Sequence, residues 1–267
     1  MEIYILRHGQ TVWNKSRLLQ GSRDIELCED GRSVARERRD QLKDVDFDVI
    51  YSSPLKRAYE TACIIRGDRD IPIIKDDRLR EINFGENEGK SVIELEKDKS
   101  NPFGKFFNDP INYKAPKGGE SFSDVCKRTK EFVQEVLEPN RNKYNRVLIA
   151  GHGAMNKGML CYILNHGIED YWSGSLQKNC GIIIIELDEN GYRQIGEIKN
   201  GIGDIHTHSH YSIYQSLLKY SDYQSFNHDS DGAFLTSALS VIDCGIVTPI
   251  FSAASVLIVI LLSVRVS

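Results

Sequence analysis

Arg7 and His8 stand side by side at the end of a short apolar run, in the stretch LRHGQTVWN. Two adjacent groups that can both be cationic repel each other, so the pair calls for an anion or a compensating partner. Two further apolar runs end in a similar way. YSSPLKRAYETA carries Ser52, Ser53 and Arg57, and AGHGAMN carries His152 between Gly151 and Gly153. Taken singly, these are ordinary strand ends: a surface arginine, a solvated imidazole. Brought to one cleft, two arginines and two histidines would suit a tetrahedral dianion, because guanidinium groups present forked donors to phosphate oxygens.

For that to happen, the chain must set the ends of three strands side by side. EIYIL is a short apolar run bounded by Gly9 and reads as a buried strand. GRSVARERRDQLKD puts Val34, Ala35, Arg38 and Leu42 on one side of a helix. FDVIYSSPLKRAYETACIIRGD reads strand, turn, helix, with Ser53 as N-cap, Pro54 at the first helical position and Gly67 as terminator. IPIIKDDRLREINFGENEGKS gives a strand and then a glycine-punctuated loop. GGESFSDVCKRTKEFVQEVLEPN predicts a long amphipathic helix, capped around Glu120 and Ser121 and stopped by Pro139. RVLIAGHGAMNKGMLCYILN is again strand, turn, helix, and CGIIIIELDENGYRQIGEI is a hairpin turned at Asn190-Gly191. Strands alternating with helices predict an α/β fold, a three-layer sandwich whose largely parallel sheet carries helices on both faces. Ligands of such sheets sit outside the carboxyl ends of the strands, where the three polar turns fall.

Composition agrees with a globular chain: 267 residues, 40% hydrophobic and 27% charged. A net charge of −4 gives no basic footprint for nucleic acid. The six cysteines are scattered, without Cys-x-x-Cys or metal-ligand spacing, and read as reduced thiols in a cytoplasmic domain. The start, MEIYILRHG, has too short an apolar run for a secretory signal.

The ordered set RHGQTVWN, LLQGSRDIELCEDG, YSSPLKRAYETA, REINFGENEG, GGES and AGHGAMN resembles the histidine phosphatase superfamily, in its phosphoglycerate mutase-like branch. The resemblance spans residues 1 to about 199. It implies that His8 is the nucleophile and becomes phosphohistidine. Arg7, Arg57 and His152 would hold the phosphoryl oxygens. Asn14 and Gln20 would line the same pocket, with Thr11 in the first turn beside them. Glu81 matches the acid that protonates the leaving oxygen, although Glu86 and Glu88 sit in the same loop, and Asn87 stands where the family often has an aromatic. The chemistry is coherent: a nucleophilic imidazole must be neutral, and neighbouring arginines lower its proton affinity. An alkoxide leaving group needs a proton from a positioned acid. Neither a metal nor an organic cofactor is called for, and the expected partner is a small-molecule phosphate ester.

Mutases of the branch carry a longer insertion and a basic segment before the second histidine, and neither is visible between Glu81 and His152. Hydrolysis is therefore the expected reaction, with mutase transfer as the alternative. A non-catalytic phosphate-binding module is a further alternative, but it would be expected to lack His8 or Glu81. Substrate choice is expected to lie between Asn87 and Glu120, where EKDKSNPFGKFFNDPINYKAPKGG mixes aromatics with lysines and suits an organic phosphate with some apolar body. Beyond residue 199 comes a polar stretch (200–243) in which His206, His208 and His210 alternate. A run without charge follows at 244–264, about 21 residues and so long enough to cross a hydrocarbon core. Pro249 and several hydroxyl residues count against a membrane anchor, and a segment packed on the domain is the other reading. Oligomeric state is not legible.

Overall fold

The computed structural model describes residues 1–174 and 176–199 in full, and residues 205–207 as backbone. The predicted polar stretch, the side chains of its three alternating histidines, and the uncharged run at 244–264 lie outside the described residues. Among the described residues no helix is long and apolar enough to cross a membrane. The described part falls within one compact unit, Met1–Tyr211.

Seven strands make one sheet: β1 (Glu2–Arg7), β2 (Val49–Ser52), β3 (Ile73–Lys75), β4 (Arg146–Gly151), β5 (Ile182–Asp188), β6 (Gly191–Ile198) and β7 (Ile205–Thr207). Their order is β3-β2-β4-β1-β5-β6-β7. The four from β3 to β1 run parallel, and β5, β6 and β7 extend the sheet antiparallel. Alternation along the strands sorts side chains to two faces. Ile3, Ile5, Val147 and Ile149 pack under α5 (Phe122–Phe132) and α6 (Gly153–Ile163). Tyr4, Leu6, Leu148 and Ala150 pack under α2 (Glu29–Gln41) and α3 (Lys56–Arg66). These are the three layers expected. Two short helices, α1 (Val12–Lys15) and α4 (Val92–Lys97), lie outside them.

The register delivers the site. Arg7 of β1 pairs with Gly151 of β4, and the His8 N–H donates to the Gly151 carbonyl at 3.0 Å. His8 and His152, far apart in sequence, thus each take one step beyond neighbouring strand ends. Ser53 follows from the next strand, its N–H on the Ala150 carbonyl at 3.0 Å.

Three local details differ from the sequence reading. Helix α3 begins at Lys56 behind Leu55, not at Pro54 behind Ser53. Its first free N–H, that of Lys56, donates to the Asp24 carboxylate at 2.6 Å, a cap supplied from a distant loop. Helix α5 is opened by a Ser121–Asp124 capping box, while Glu120 instead pairs with Arg128. After Phe132 it widens into a π-turn at Val133–Leu137 before the turn containing Pro139. The β5–β6 hairpin turns at Glu189-Asn190, with Gly191 already paired to Asp188 at φ 108°.

Candidate active site

The His8 ring is buried, and its Nδ1 lies 2.7 Å from the carbonyl oxygen of Gly9. A carbonyl only accepts, so Nδ1 carries the hydrogen and Nε2 keeps its lone pair. Burial, then the charges of Arg57 and Arg7, pushes the imidazole well below its ordinary value, so the ring is neutral. The backbone beneath it is fixed as well. The Gly9 N–H donates to Thr61 Oγ1 at 2.9 Å, and that hydroxyl donates to the Arg57 carbonyl at 2.6 Å. Gly9 also lies against Gly31 of α2: a Cβ at Gly31 would stand 2.1 Å from the Gln10 oxygen, so only glycine lets the helix approach this turn.

Arg57 is fully buried on α3, and its two terminal nitrogens donate to the carbonyls of Arg23 and Gly21, each at 2.7 Å. Burial brings its guanidinium down to about 10, which still leaves it charged at neutral pH. Arg7 donates through Nη1 to the Gln177 carbonyl. The Nε of each arginine and both ring nitrogens of His152 are buried without a partner. His152 faces His8 with ring centroids 5.2 Å apart. Burial first, and then Arg57, pushes it well below the ordinary histidine value. Unpaired polar atoms at this density are costly to bury. Set around a neutral imidazole, they match an anion's oxygens.

Glu81 is joined to the same centre through helix α6. Its Oε1 accepts from the N–H groups of Ile82 at 3.0 Å and Met155 at 2.8 Å, and Oε2 takes one longer bond from Ala154 at 3.2 Å. The carboxylate therefore caps the helix that begins just after His152, and Oε2 has capacity to spare. Arg128 of α5 steadies it by donating to the carbonyls of Arg78 and Arg80, at 2.6 and 2.7 Å. Glu81 lines the cavity. Glu88 instead accepts from Ser22 and the Phe84 N–H, and Glu86 is exposed. Asn87 is buried against Asn101.

A cavity of about 310 Å³ opens over this floor, and Arg7, His8, Asn14, Gln20, Arg57 and Glu81 all line it. Thr11 does not line it. It is fully buried behind Asn14 and Gln20, its hydroxyl 3.1 Å from Asn14 Oδ1 and 2.9 Å from Gln20 Oε1. Thr11 also caps α1, which places it as a support for pocket residues. His152 lies beneath the floor, not on the cavity surface. The lining also includes Arg17, Phe84, Phe106, Phe107, Trp172 and Leu176, none of them singled out from sequence. The FF pair in the segment between Asn87 and Glu120 was a usable signal. Trp172 and Leu176 had none, because they reach the cavity from beyond α6.

The pattern of the Histidine phosphatase superfamily (branch 1) matches residues 3–197 of this chain. Phosphoserine phosphatase 1 of Hydrogenobacter thermophilus is 31% identical over 189 residues, covering 71% of this chain and 88% of that protein. A 2,3-bisphosphoglycerate-dependent phosphoglycerate mutase of Cytophaga hutchinsonii is 32% identical over 171 residues, 63% of this chain and 79% of its own. The solved structure of Bacillus stearothermophilus YhfR superposes with a TM-score of 0.66 at 36% identity, covering 72% of this chain and 94% of that one.

Proposed function

We propose that this chain, which belongs to the histidine phosphatase superfamily (branch 1), hydrolyses phosphate monoesters through a phosphohistidine formed on His8. It is a phosphoric monoester hydrolase, as its phosphatase relatives imply. The observation that carries the covalent route is the His8 ring, held by Gly9 so that Nε2 is free and neutral. Nε2 attacks phosphorus as the ester P–O bond breaks. Arg7 and Arg57, which line the cavity, donate to the phosphoryl oxygens where the charge concentrates, and the buried, neutral His152 backs the His8 ring. Glu81 Oε2 gives its proton to the departing alkoxide. In the second half Glu81 takes a proton from water, whose oxygen attacks phosphorus while the P–N bond breaks, and inorganic phosphate and neutral His8 are restored.

Mutase transfer would need cations for a second acidic group. The cations lining the cavity among the described residues are Arg7, Arg57 and Arg17, and apart from His8, Asn14, Gln20 and Glu81 the rest of the lining is apolar. That supports water as the acceptor. The free thiols of the described cysteines accord with a reducing, cytoplasmic setting. The test is rapid quenching during turnover of a labelled ester. Acid-labile, base-stable phosphate should be trapped on the wild type and be absent from His8→Ala. Label retained by that variant would overturn the assignment.

A further inference from the structure

We propose that the alcohol half of the substrate is an apolar, preferably aromatic, group, and that Phe106, Phe107, Trp172 and Leu176 form the wall that recognises it. This rests on the phosphoryl group lying at the His8 floor. From there the alcohol must leave through the cavity, and most of the lining it meets is carbon, with Asn14, Arg17 and Gln20 the polar exceptions. Phe106 and Phe107 stand edge to face with ring centroids 4.9 Å apart, and Trp172 lies 5.1 and 5.0 Å from them. The Trp172 indole N–H donates to the Phe106 carbonyl at 2.6 Å, which ties the two contributing chain segments together. The wall is thus built before any ligand arrives, which lowers the cost of ordering it.

Phe107 is 36% exposed and Leu176 41% exposed, both at the rim. Large apolar side chains left open beside a cleft are typical of a binding surface. Leu176 overhangs the floor itself: its Cδ1 would lie 3.2 Å from a Cβ at Gly153, on the side of Arg7.

The charges speak against a zwitterionic or carboxylated alcohol. Arg17 is the one cation at the upper lining among the described residues, and it is exposed, where ionic attraction is screened. The sole lining carboxylate among them is Glu81, already engaged with three backbone N–H groups. A substrate ammonium would find no free anion there. The remaining route to an ammonium is the face of the arenes themselves.

The experiment measures kcat/KM of the full chain for ethyl, hexyl and 3-phenylpropyl phosphates, whose leaving groups have similar basicity. O-phosphoserine is run beside them, as is the pair phosphocholine and 3,3-dimethylbutyl phosphate. The 3-phenylpropyl ester should exceed the ethyl ester by about tenfold or more, the effect of burying a ring's worth of apolar area. Phe107→Ala and Leu176→Ala should each shrink that ratio, whereas Ile111→Ser, an exposed apolar position off the cavity, should leave it in place. Equal kcat/KM for ethyl and 3-phenylpropyl phosphates, or a preference for O-phosphoserine, would overturn the inference and leave the hydrolase standing. Phosphocholine turned over faster than its uncharged isostere would replace the apolar reading with a cation–π one. No turnover of any ester would overturn both this inference and the proposed function.

Discussion

His8 and His152 are buried neutral beside two guanidinium groups, and that arrangement has a cost that depends on pH. Each ring binds a proton in the unfolded chain below about pH 6.5 and stays unprotonated in the fold well below that. The unfolded state then holds more protons, so stability is flat above this point and falls as pH drops through it. Together the two rings should cost about 2.7 kcal/mol per pH unit once fully expressed, before paired carboxylates begin to titrate. Urea unfolding between pH 7.5 and 5 should show this slope, and His8→Asn should remove about half of it; an unchanged slope would contradict a buried neutral His8. Glu81 yields a second prediction. Glu81→Gln keeps an oxygen for the Met155 N–H but cannot donate a proton as an acid, so alkyl phosphates should slow by about 10²–10⁴-fold while p-nitrophenyl phosphate changes little. Equal losses on both ester types would make Glu81 only a helix cap. The residue types at these positions were legible because each is polar at the end of an apolar run or inside a matching motif. The tautomer of His8 and the helix-capping bonds of Glu81 were not, since both depend on backbone atoms that only the folded register brings near.

Helix α3 shows what an element adds to its residues. Its start is capped by Asp24, and the loop that supplies Asp24 also supplies the Gly21 and Arg23 carbonyls that grip Arg57. The helix position and the guanidinium direction are therefore set by the same four-residue stretch, 21–24. One turn on, Thr61 links the Arg57 carbonyl to the Gly9 N–H, so α3 is tied to the His8 turn. Thr61→Val keeps the shape and removes the hydroxyl, leaving a buried N–H without an acceptor. A loss of about 1–3 kcal/mol in unfolding free energy is expected, together with a raised KM for ethyl phosphate, and Thr61→Ser should restore both. A variant as stable and active as wild type would show that this link positions nothing. The sequence placed the helix and its glycine terminator correctly. It misplaced the cap because Ser53 is the right residue type at a plausible distance, whereas the group in use comes from a loop 32 positions away. Local pattern finds elements, and it is blind to caps delivered by tertiary contact.

At the scale of the whole molecule, the lining of the cavity runs from Arg7 to Leu176, and the side-chain hydrogen bonds of Arg7, Arg57, Glu81 and Trp172 all find their partners between residues 7 and 177. The carboxyl end of the parallel half carries the site, while the antiparallel strands β5 to β7 extend the far edge. Arg38 of α2 reaches that edge, donating to the Cys180 carbonyl at 2.9 Å and the Lys199 carbonyl at 3.2 Å. The chemistry should therefore survive removal of everything after Tyr211, the limit of the compact unit. A chain ending at Tyr211 should retain kcat/KM for p-nitrophenyl phosphate within about twofold. A chain ending at Lys199 should keep the same active site but lose β7, exposing the β6 backbone as an open edge that favours association. Sedimentation of the two truncations beside the full chain separates these effects. If the chain cut at Tyr211 is folded and monodisperse yet has lost activity by orders of magnitude, residues 212–267 take part in catalysis, and the boundary of the catalytic unit has to be moved.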